Sequence, residues 1–177
     1  MNLKLWNSDA ELINKCLKQD RLAQKELYDK YKNAMYTLAY RIIGNHDDAE
    51  DTLQETFVSV FLNLQSFQGR STLGAWIKTI LIRNAIKCTK ASFLHESVND
   101  IEINNEFIID DNLSGEHIEK AILNLDKGYR TVFLLIEVEG YKHKEVSEIL
   151  NISEGTSKSQ LFHAKKQLQK QLVSMYK

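Results

Sequence analysis

The sequence predicts an all-α protein with two small helical domains, an N-terminal helical bundle and a C-terminal helix-turn-helix domain, joined by an acidic linker. The 177 residues include no proline and only seven glycines, and 43% are hydrophobic, which favours helices over turn-rich β folds or disorder. Apolar residues recur at three- and four-residue steps through long segments. Because a domain typically has about 100 to 150 residues, this length fits two small cores. We predict the domains over 8–90 and 115–177, with the linker over 91–114.

The first two helices are predicted from their caps. Ser8 and Glu11 have the spacing of a capping box, so the first helix should run from Ser8 to about Lys18. Asp20 is the expected N-cap of a long second helix that ends at Gly44 and Asn45. The inward face of this second helix is predicted at Leu27, Tyr31, Ala34, Leu38 and Ile42.

The third helix, predicted from Asp47 to Leu64, has an apolar face and a strongly acidic first half. Its inward positions are Ala49, Leu53, Phe57, Val60, Phe61 and Leu64. Carboxylates in the first turn of a helix interact favourably with the helix dipole. The cluster of polar side chains beside a single apolar face is also consistent with a surface that docks on another protein. A loop then leads to Ser71 or Thr72 as the cap of a fourth helix, which runs to about Lys90.

The second domain is predicted to contain a short helix over 116–124, a helix capped by Asp126 that runs to Glu139, and helices over 142–150 and 154–176. The last two have the pattern of a helix-turn-helix. Asn151 can adopt the left-handed conformation of the turn, Ile152 fills the angle between the helices, and Ser153 is the natural cap of the second one.

The last helix is predicted to present a polar face suited to DNA. Its inward stripe is Leu161, Ala164, Leu168 and Leu172. Its outward positions are Thr156, Ser159, Gln160, His163 and Lys166, a face without a large apolar group. Hydroxyls near the helix start, an amide and cations further along suit hydrogen bonds to base edges in a major groove, with phosphate contacts beside them.

Charge is distributed unevenly although the net charge is only −1. Residues 1–90 carry 13 basic and 10 acidic groups, residues 91–119 carry none and 8, and residues 120–177 carry 10 and 6. Two stretches, 56–95 and 155–177, contain no Asp or Glu but five Lys or Arg each. Such acid-free tracts are expected to face phosphates, although many charge runs are simply solvated helix faces.

Several function classes have little support in the sequence. No run approaches the roughly 18 apolar residues that span a bilayer, and the N-terminus lacks a signal-peptide core, so we expect a cytoplasmic protein without membrane insertion. Cys16 and Cys88 are far apart and are expected to be reduced and structural. No metal site or cofactor is predicted.

At these motifs the chain resembles the sigma-70 family of bacterial RNA polymerase initiation factors, in particular the small extracytoplasmic-function (ECF) group. The resemblance covers about residues 20–90 and 116–172. DDAEDTLQETFVSVFLNL (47–64) is similar to the family motif that docks on the clamp helices of the largest polymerase subunit. The resemblance implies that the core-binding residues are Asp48, Glu50, Asp51, Gln54, Glu55 and Phe57.

FQGRSTLGAWIKTI (67–80) is similar to the loop and helix with which the family opens and reads the minus-ten promoter element. In the family this loop holds a flipped base of the non-template strand, and the adjoining basic helix follows the DNA backbone. The implied minus-ten residues are Phe67, Arg70, Ser71, Thr72, Trp76, Lys78, Arg83, Asn84 and Lys87. Arg83 stands where relatives commonly have asparagine, and Lys87 replaces a common aspartate.

The second domain resembles the family's minus-thirty-five reading domain, with Gly155, Thr156, Lys158 and Ser159 matching its recognition-helix motif. The implied DNA contacts are Thr156, Lys158, Ser159, Gln160, His163 and Lys166. Two departures lie in the same helix: Ser157 occupies a position where the family usually has valine, and Gln160 replaces a frequent arginine. The acidic linker matches the family's interdomain segment, which threads through the polymerase.

The resemblance implies a sigma factor that is not an enzyme, that binds core RNA polymerase at the clamp helices and flap region, and that binds promoter DNA. It also implies an anti-sigma factor as a partner. Two alternatives stay open: a sigma-like adaptor that sequesters an anti-sigma factor, and a stand-alone helix-turn-helix repressor. A third starts from His46 and Asp47, an HD pair as in metal phosphohydrolases, which would need further ligands on other helices.

Overall fold

The computed structural model describes residues 3–89 and 115–174, and every regular element within these two ranges is helical. The chain divides into two compact units, Met1–Cys88 and Thr89–Lys177. The first unit contains α1 (Leu3–Leu17), α2 (Arg21–Ile43), α3 (His46–Asn63) and α4 (Leu73–Thr89). The second contains α5 (Gly115–Leu123), α6 (Lys127–Phe133), α7 (His143–Leu150) and α8 (Glu154–Ser174). The all-α prediction is confirmed, whereas the predicted linker, 91–114, lies entirely outside the described residues.

The boundaries of α2 follow the predicted caps. The Asp20 carboxylate accepts hydrogen bonds from the backbone N–H groups of Leu22 and Ala23, at 2.9 and 3.3 Å. Gly44 ends the helix at φ 79°, a left-handed conformation that glycine adopts without strain. The predicted start of α1 is wrong, because the helix already begins at Leu3 and Ser8 lies inside it.

The core of the first unit is formed mainly by α2, α3 and α4, with α1 packed on α2. Its fully buried side chains include Leu27, Ile42, Val60, Leu73, Ile77, Leu81 and Ile82. The predicted inward faces largely hold, but Ala34 is exposed and Tyr31 and Phe61 are only partly buried. Gly74 brings α4 close to α2, since a Cβ there would lie 3.0 Å from Cε1 of Tyr31.

A short 3₁₀ turn, Leu64–Ser66, follows α3 and leads into the loop before α4. Thr72 caps α4 by accepting a 3.2 Å hydrogen bond from the Ala75 backbone N–H, which decides between the two predicted caps. Buried Thr56 of α3 accepts a 3.2 Å hydrogen bond from Nδ2 of Asn84, so a polar bridge joins α3 to α4 inside the unit.

In the second unit α6 continues as a π-helical segment, Leu134–Val138, and ends by Glu139 as predicted. Asp126 stands at the predicted N-cap position of α6, but its side chain makes no cap hydrogen bond. Its carboxylate instead accepts a 3.1 Å hydrogen bond from Nε2 of Gln167 on α8, while no side-chain cap is formed. The Asp126 side chain therefore links α6 to α8.

The core of the second unit is built around α6 and α8, against which α5 and α7 also pack. Leu161, Ala164 and Leu168 of α8 are buried as predicted, whereas Leu172 is only partly covered. On α6 and its π-helical extension the buried residues include Val132, Leu134 and Leu135. This packing fixes which sides of α8 remain accessible.

Candidate nucleic-acid and protein interfaces

The acidic half of α3 presents its side chains to solvent. Asn45 caps the helix, with Oδ1 accepting a 3.0 Å hydrogen bond from the Asp48 backbone N–H. Carboxylates in the first turn are then stabilised by the helix dipole. Five of the six predicted docking residues are exposed, namely Asp48, Glu50, Asp51, Gln54 and Glu55. Together they form one negatively charged surface.

Phe57, the sixth predicted docking residue, is not on this surface. Its side chain is only 3% exposed. The ring packs edge-on against Tyr28, with centroids 4.8 Å apart, and also lies 6.2 Å from Phe61. The assignment of Phe57 as a contact residue is therefore wrong for this structure, and its place is in the core beneath the acidic face.

A groove between α2 and α3 borders the acidic surface, and sequence reasoning missed its α2 side. It is lined by Tyr28, Lys32, Asn33 and Tyr36 of α2 and by Glu50, Leu53 and Gln54 of α3. Lys32 hydrogen-bonds Asp29 at 2.6 Å, which raises the pKa of the Lys32 ammonium and lowers the pKa of the Asp29 carboxyl. The signal available in the sequence was the four-residue repeat of Tyr28, Lys32 and Tyr36.

The loop before α4 and the first turn of α4 hold a partly exposed aromatic pair. The rings of Phe67 and Trp76 are 5.4 Å apart and tilted by 52°, and both side chains are partly buried. Gly69 has φ +67°, so the loop bends through a left-handed residue at that point. Arg70, Ser71 and Thr72 follow as exposed residues. The loop thus combines an aromatic platform with a cation and hydroxyls.

The predicted minus-ten residues on α4 do not share one side. With a step of about 100° per residue, Trp76, Arg83 and Lys87 fall within about 40° of one another, whereas Lys78 lies roughly 160° from Trp76. Arg83 and Lys87 are exposed, and Lys78 is partly buried. Asn84 donates its amide to Thr56 inside the unit, so that group is committed to packing. Trp76, Arg83 and Lys87 are the set that can act together.

The turn of the helix-turn-helix has the predicted geometry. Asn151 has φ 56° and ψ 48°, and its backbone N–H bonds the carbonyl of Ser147. Ser153 caps α8 by accepting a 2.9 Å hydrogen bond from the Thr156 backbone N–H, and its hydroxyl also lies 2.9 Å from the Thr156 hydroxyl. The Thr156 hydroxyl is therefore part of the cap before any DNA is present.

Ser157 is fully buried where α8 meets α7. Its Oγ lies 2.9 Å from Nδ1 of His143, the first residue of α7. A buried hydroxyl without a partner costs about 1 to 3 kcal/mol, so this bond removes a penalty that the polar substitution would otherwise carry. The sequence shows the departure at Ser157 but does not identify His143 as its partner.

The outermost face of α8 is rotated from the predicted one. Residues 155, 159, 162 and 166 fall within about 60° at the point opposite the buried stripe. Phe162 is 62% exposed, so the prediction of a face without a large apolar group is wrong. The ammonium of Lys166 lies 5.9 Å from the Phe162 ring centroid. Ser159 and Lys158 are exposed beside this ring.

Two of the predicted minus-thirty-five residues are turned towards the body of the unit. Gln160 is partly buried, and its Oε1 is covered without a hydrogen-bond partner among the described residues. His163 stacks on Tyr129 of α6, with centroids 5.6 Å apart and planes at 25°. Both residues border the outer face of α8 and do not form its centre.

His46 of the HD pair contacts two tyrosines of α2. Nδ1 of His46 lies 2.7 Å from the Tyr36 hydroxyl, and the imidazole stacks on Tyr40 at 4.2 Å. Across residues 3–89 and 115–174 no group of three or more His, Cys, Asp or Glu side chains has the arrangement of a metal site. In the same ranges none of the helices combines the length and apolar character needed to cross a membrane.

Comparison with protein families gives two matches, in the same order as the surfaces described above. The model described as "Sigma-70 region 2" matches residues 27–89, a range that contains the acidic face of α3, the aromatic loop and α4. The model described as "Sigma-70, region 4" matches residues 116–168, a range that contains the helix-turn-helix.

Similar proteins of known function cover most of the chain. The ECF RNA polymerase sigma factor SigW of Bacillus subtilis is 31% identical, over an alignment that covers 91% of this chain and 97% of that protein. The ECF RNA polymerase sigma factor SigE of Mycolicibacterium smegmatis is 29% identical, over 84% of this chain and 61% of that protein. Among solved structures, the sigma factor RpoE of Bartonella quintana, in complex with the anti-sigma factor NepR, is 26% identical with a TM-score of 0.56, over 84% of this chain and 95% of that one.

Proposed function

Because the chain belongs to the sigma-70 family of RNA polymerase sigma factors, in its ECF group, we propose a role in transcription initiation for each of its three surfaces. A sigma factor binds core RNA polymerase and directs it to promoters. The observation that carries the proposal is the order of the surfaces along the chain: an exposed acidic helix, an aromatic loop with a basic helix, and then a helix-turn-helix. We infer that the protein does no chemistry itself and acts in the cytoplasm, where its polymerase and DNA are.

The acidic face of α3 is proposed to bind the clamp helices of the largest polymerase subunit. Asp51 and Glu55 are exposed, and no lysine or arginine in the described part of the chain forms an ion pair with either. Charge on a rigid helix steers and orients a basic partner, and close charged pairs in an interface carry substantial coupling energy. Phe57 is proposed to support this face from below through its contact with Tyr28.

The test is the affinity for purified cognate core polymerase of the double variant Asp51→Lys with Glu55→Lys. We expect binding at least about tenfold weaker at 0.1 M salt, with a smaller difference at high salt, because the lost interaction is electrostatic. Glu116→Lys with Glu148→Lys is the matched control, since it changes net charge equally at exposed acids of the second unit. Equal affinity of the docking variant and wild type would count against the assignment.

The loop 67–72 and one face of α4 are proposed to act at the minus-ten element. A flipped base needs an aromatic or polar pocket, and the Phe67–Trp76 pair with neighbouring Ser71 and Thr72 supplies both. We propose that three exposed basic side chains contact phosphates of the separated strand: Arg70 of the loop, and Arg83 and Lys87 on the exposed side of α4. Lys78 and Asn84 are proposed to have lesser roles, since one lies on another side of α4 and the other bonds Thr56.

The outer face of α8 is proposed to enter the major groove at the minus-thirty-five element. Ser159 can hydrogen-bond base edges, while Lys158 and Lys166 suit phosphates. Phe162, exposed at the centre of this face, fits an apolar contact such as a thymine methyl group. Thr156, Gln160 and His163 border the face and are proposed to contribute through the cap, the backbone or water.

Replacing Lys158 and Lys166 with glutamine tests the groove contact. We expect weaker binding to duplex promoter DNA. We also expect the slope of the logarithm of the binding constant against the logarithm of the salt concentration to become shallower by about one for each lysine replaced. Fluorescence anisotropy over a range of salt concentrations measures both quantities. Lys120→Gln on α5 is a single-charge control, and a double variant with an unchanged salt slope would remove these lysines from the interface.

An inhibitory protein partner is proposed by similarity, since the solved relative from Bartonella quintana is in complex with the anti-sigma factor NepR. The adaptor and repressor alternatives are less well supported. Both basic tracts persist here, which an adaptor without DNA binding would not need, and an isolated repressor would not need the region 2 match over 27–89.

A further inference from the structure

The first turn of α4 lies against a single aromatic ring of α2. A Cβ atom on Gly74 would lie 3.0 Å from Cε1, 3.6 Å from Cδ1 and 3.8 Å from Cζ of Tyr31. The three heavy atoms nearest to that position therefore all belong to one ring. The glycine backbone and the edge of the Tyr31 ring are in direct contact, and a side chain at position 74 would have to displace one of them.

The backbone conformation does not explain a glycine at this position. Gly74 is within α4, and its φ is not in the left-handed region that favours glycine. Inside a helix, glycine is destabilising relative to alanine because it loses more backbone freedom on folding. The neighbouring Tyr31 ring is the feature of the structure that disfavours a side chain here.

The Tyr31 ring is held on the side away from α4. The ammonium of Lys30 lies 5.5 Å from the ring centroid and is hydrogen-bonded to the carboxylate of Asp9 on α1. Burial raises the pKa of the Tyr31 hydroxyl, the Asp9 carboxylate adds to the rise, and the Lys30 ammonium opposes it. The ring thus lies between a cross-helix ion pair and the start of α4, so it cannot turn aside without losing these contacts.

Gly74 is placed between the two parts of the loop that would receive a base. Thr72, two residues earlier, caps α4 through the Ala75 backbone N–H at 3.2 Å. Trp76, two residues later, has its ring 5.4 Å from that of Phe67. All of these α4 residues belong to about one helical turn, so a shift of that turn moves the cap and the Trp76 ring together. A binding site has to be held within about 0.5 Å of its productive geometry.

We propose that Tyr31 is a positioning residue for minus-ten recognition: its ring, seated on Gly74, sets the place of the first turn of α4 and so holds the Phe67–Trp76 pair ready for an unpaired base. Tyr31 acts through Gly74 and does not itself contact the base. This inference rests on the proposed role of the loop 67–72.

The direct test is Gly74→Ala in the full-length protein bound to cognate core polymerase. The probe is fork DNA from a promoter that wild type transcribes, with the minus-ten non-template strand unpaired and single abasic sites placed along it. Stacking of one base changes affinity roughly five- to 150-fold, so wild type should lose about tenfold or more at one abasic position. With Gly74→Ala that loss should fall below about threefold, because the base is no longer received.

Gly115→Ala is the matched control. Gly115 is the first residue of α5, and nothing lies within 4 Å of a Cβ placed there. This variant should keep the wild-type dependence on the abasic site. Circular dichroism spectra and affinity for core polymerase should be unchanged for both glycine variants, since neither change is at the acidic face of α3.

A compensating pair separates positioning from a general structural defect. Tyr31→Leu removes the ring edge, and adding Gly74→Ala places a methyl group in the vacated space. Tyr31→Leu alone should reduce the abasic loss, whereas the double variant should recover to within about threefold of wild type. Residues in contact compensate in this way, while independent defects add. Tyr31→Phe keeps the ring and should behave as wild type.

A measurement without DNA checks the displacement itself. In a Trp6→Phe background Trp76 is the only tryptophan. Quenching of its fluorescence by iodide should change with Gly74→Ala and return towards the starting value when Tyr31→Leu is added. Identical quenching in all three proteins would show that the first turn of α4 has not moved, and would overturn the proposal.

The DNA results separate this proposal from the function on which it rests. Full abasic loss with Gly74→Ala, or a double variant no better than Gly74→Ala, would overturn the positioning role and leave the role of the loop standing. If wild type shows no loss at any abasic position, the loop receives no base, and its proposed minus-ten function fails together with this inference.

Discussion

At the scale of single residues, Ser157 explains how a polar side chain is accommodated in the packed joint of a helix-turn-helix. Its hydroxyl is fully buried and lies 2.9 Å from Nδ1 of His143. Ser157 is in the first turn of α8, and His143 is the first residue of α7. The hydrogen bond consequently ties the starts of the two helices together.

Removing this hydrogen bond should destabilise the second unit. Ser157→Ala is expected to lower the free energy of unfolding by about 1 kcal/mol, the usual net contribution of such a bond. Ser159→Ala is the matched control, because Ser159 is exposed on the same helix and should change stability by no more than about 0.5 kcal/mol. Urea unfolding followed by circular dichroism measures both. Equal midpoints for the two variants would mean that the His143 contact contributes nothing.

The two cysteines should react at different rates. Cys16 is 4% exposed, and burial raises the pKa of its thiol, with smaller effects from Asp20 and Glu26, whereas Cys88 is exposed. A raised thiol pKa leaves less of the reactive thiolate at pH 8. Iodoacetamide labelling followed by mass spectrometry should therefore modify Cys88 first and Cys16 only after denaturant is added. Comparable labelling of both in the native protein would contradict this burial.

At the scale of elements, α4 divides its polar residues between a packed side and an exposed side. Asn84 bonds Thr56 and holds α4 on α3, while Trp76, Arg83 and Lys87 share the exposed side. A sequence motif groups all of these residues together, because it records the residue types and not the side of the helix on which each side chain lies. Only the packing of Leu73, Ile77 and Leu81 fixes the rotation.

This division predicts unequal effects of charge removal on α4. Arg83→Gln with Lys87→Gln should weaken binding to DNA with an unpaired minus-ten strand and flatten its salt dependence by about 0.7 per charge, the slope for single strands. Lys78→Gln, on the other side of α4, should change the slope by clearly less than either. Electrophoretic mobility shifts of the polymerase complex at several salt concentrations measure this, and a Lys78 effect as large as that of Lys87 would exclude the proposed face.

The caps and turns illustrate what local sequence determines. Asp20, Gly44, Asn151 and Ser153 occupy the conformations predicted for them, because a cap or left-handed turn depends on a few consecutive residues. Asp126 also stands at its predicted N-cap position, but its carboxylate bonds Gln167, 41 residues away, and makes no side-chain cap. Propensity cannot anticipate such a distant partner.

The rotation of α8 was also beyond local patterning. Leu161, Ala164 and Leu168 were predicted as the inward stripe. These three positions define the direction of the opposite face only to within about 50°, which is half of the turn per residue. Helical periodicity places Ser157 near the buried side of α8, and the structure buries it completely. Phe162 consequently lies on the outside, although an aromatic residue is ordinarily placed inside.

At the scale of the whole molecule, the order of charge along the sequence corresponds to the order of the proposed surfaces. The acid-free tract at 56–95 covers the loop and α4, and the one at 155–177 covers α8. The division into two helical units was also predictable, since it follows from length and periodicity. The aromatic groove between α2 and α3 was not, because it depends on how two helices pack.

The central claim is that this protein directs core polymerase to promoters through the acidic helix and two DNA-contacting surfaces. The most direct measurement is in-vitro transcription of total genomic DNA by cognate core polymerase, with and without the protein, followed by sequencing of RNA 5′ ends. The account predicts new 5′ ends that share two upstream elements, and their loss with the Asp51→Lys and Glu55→Lys double variant. The same 5′ ends with core alone, or full activity of the double variant, would contradict it.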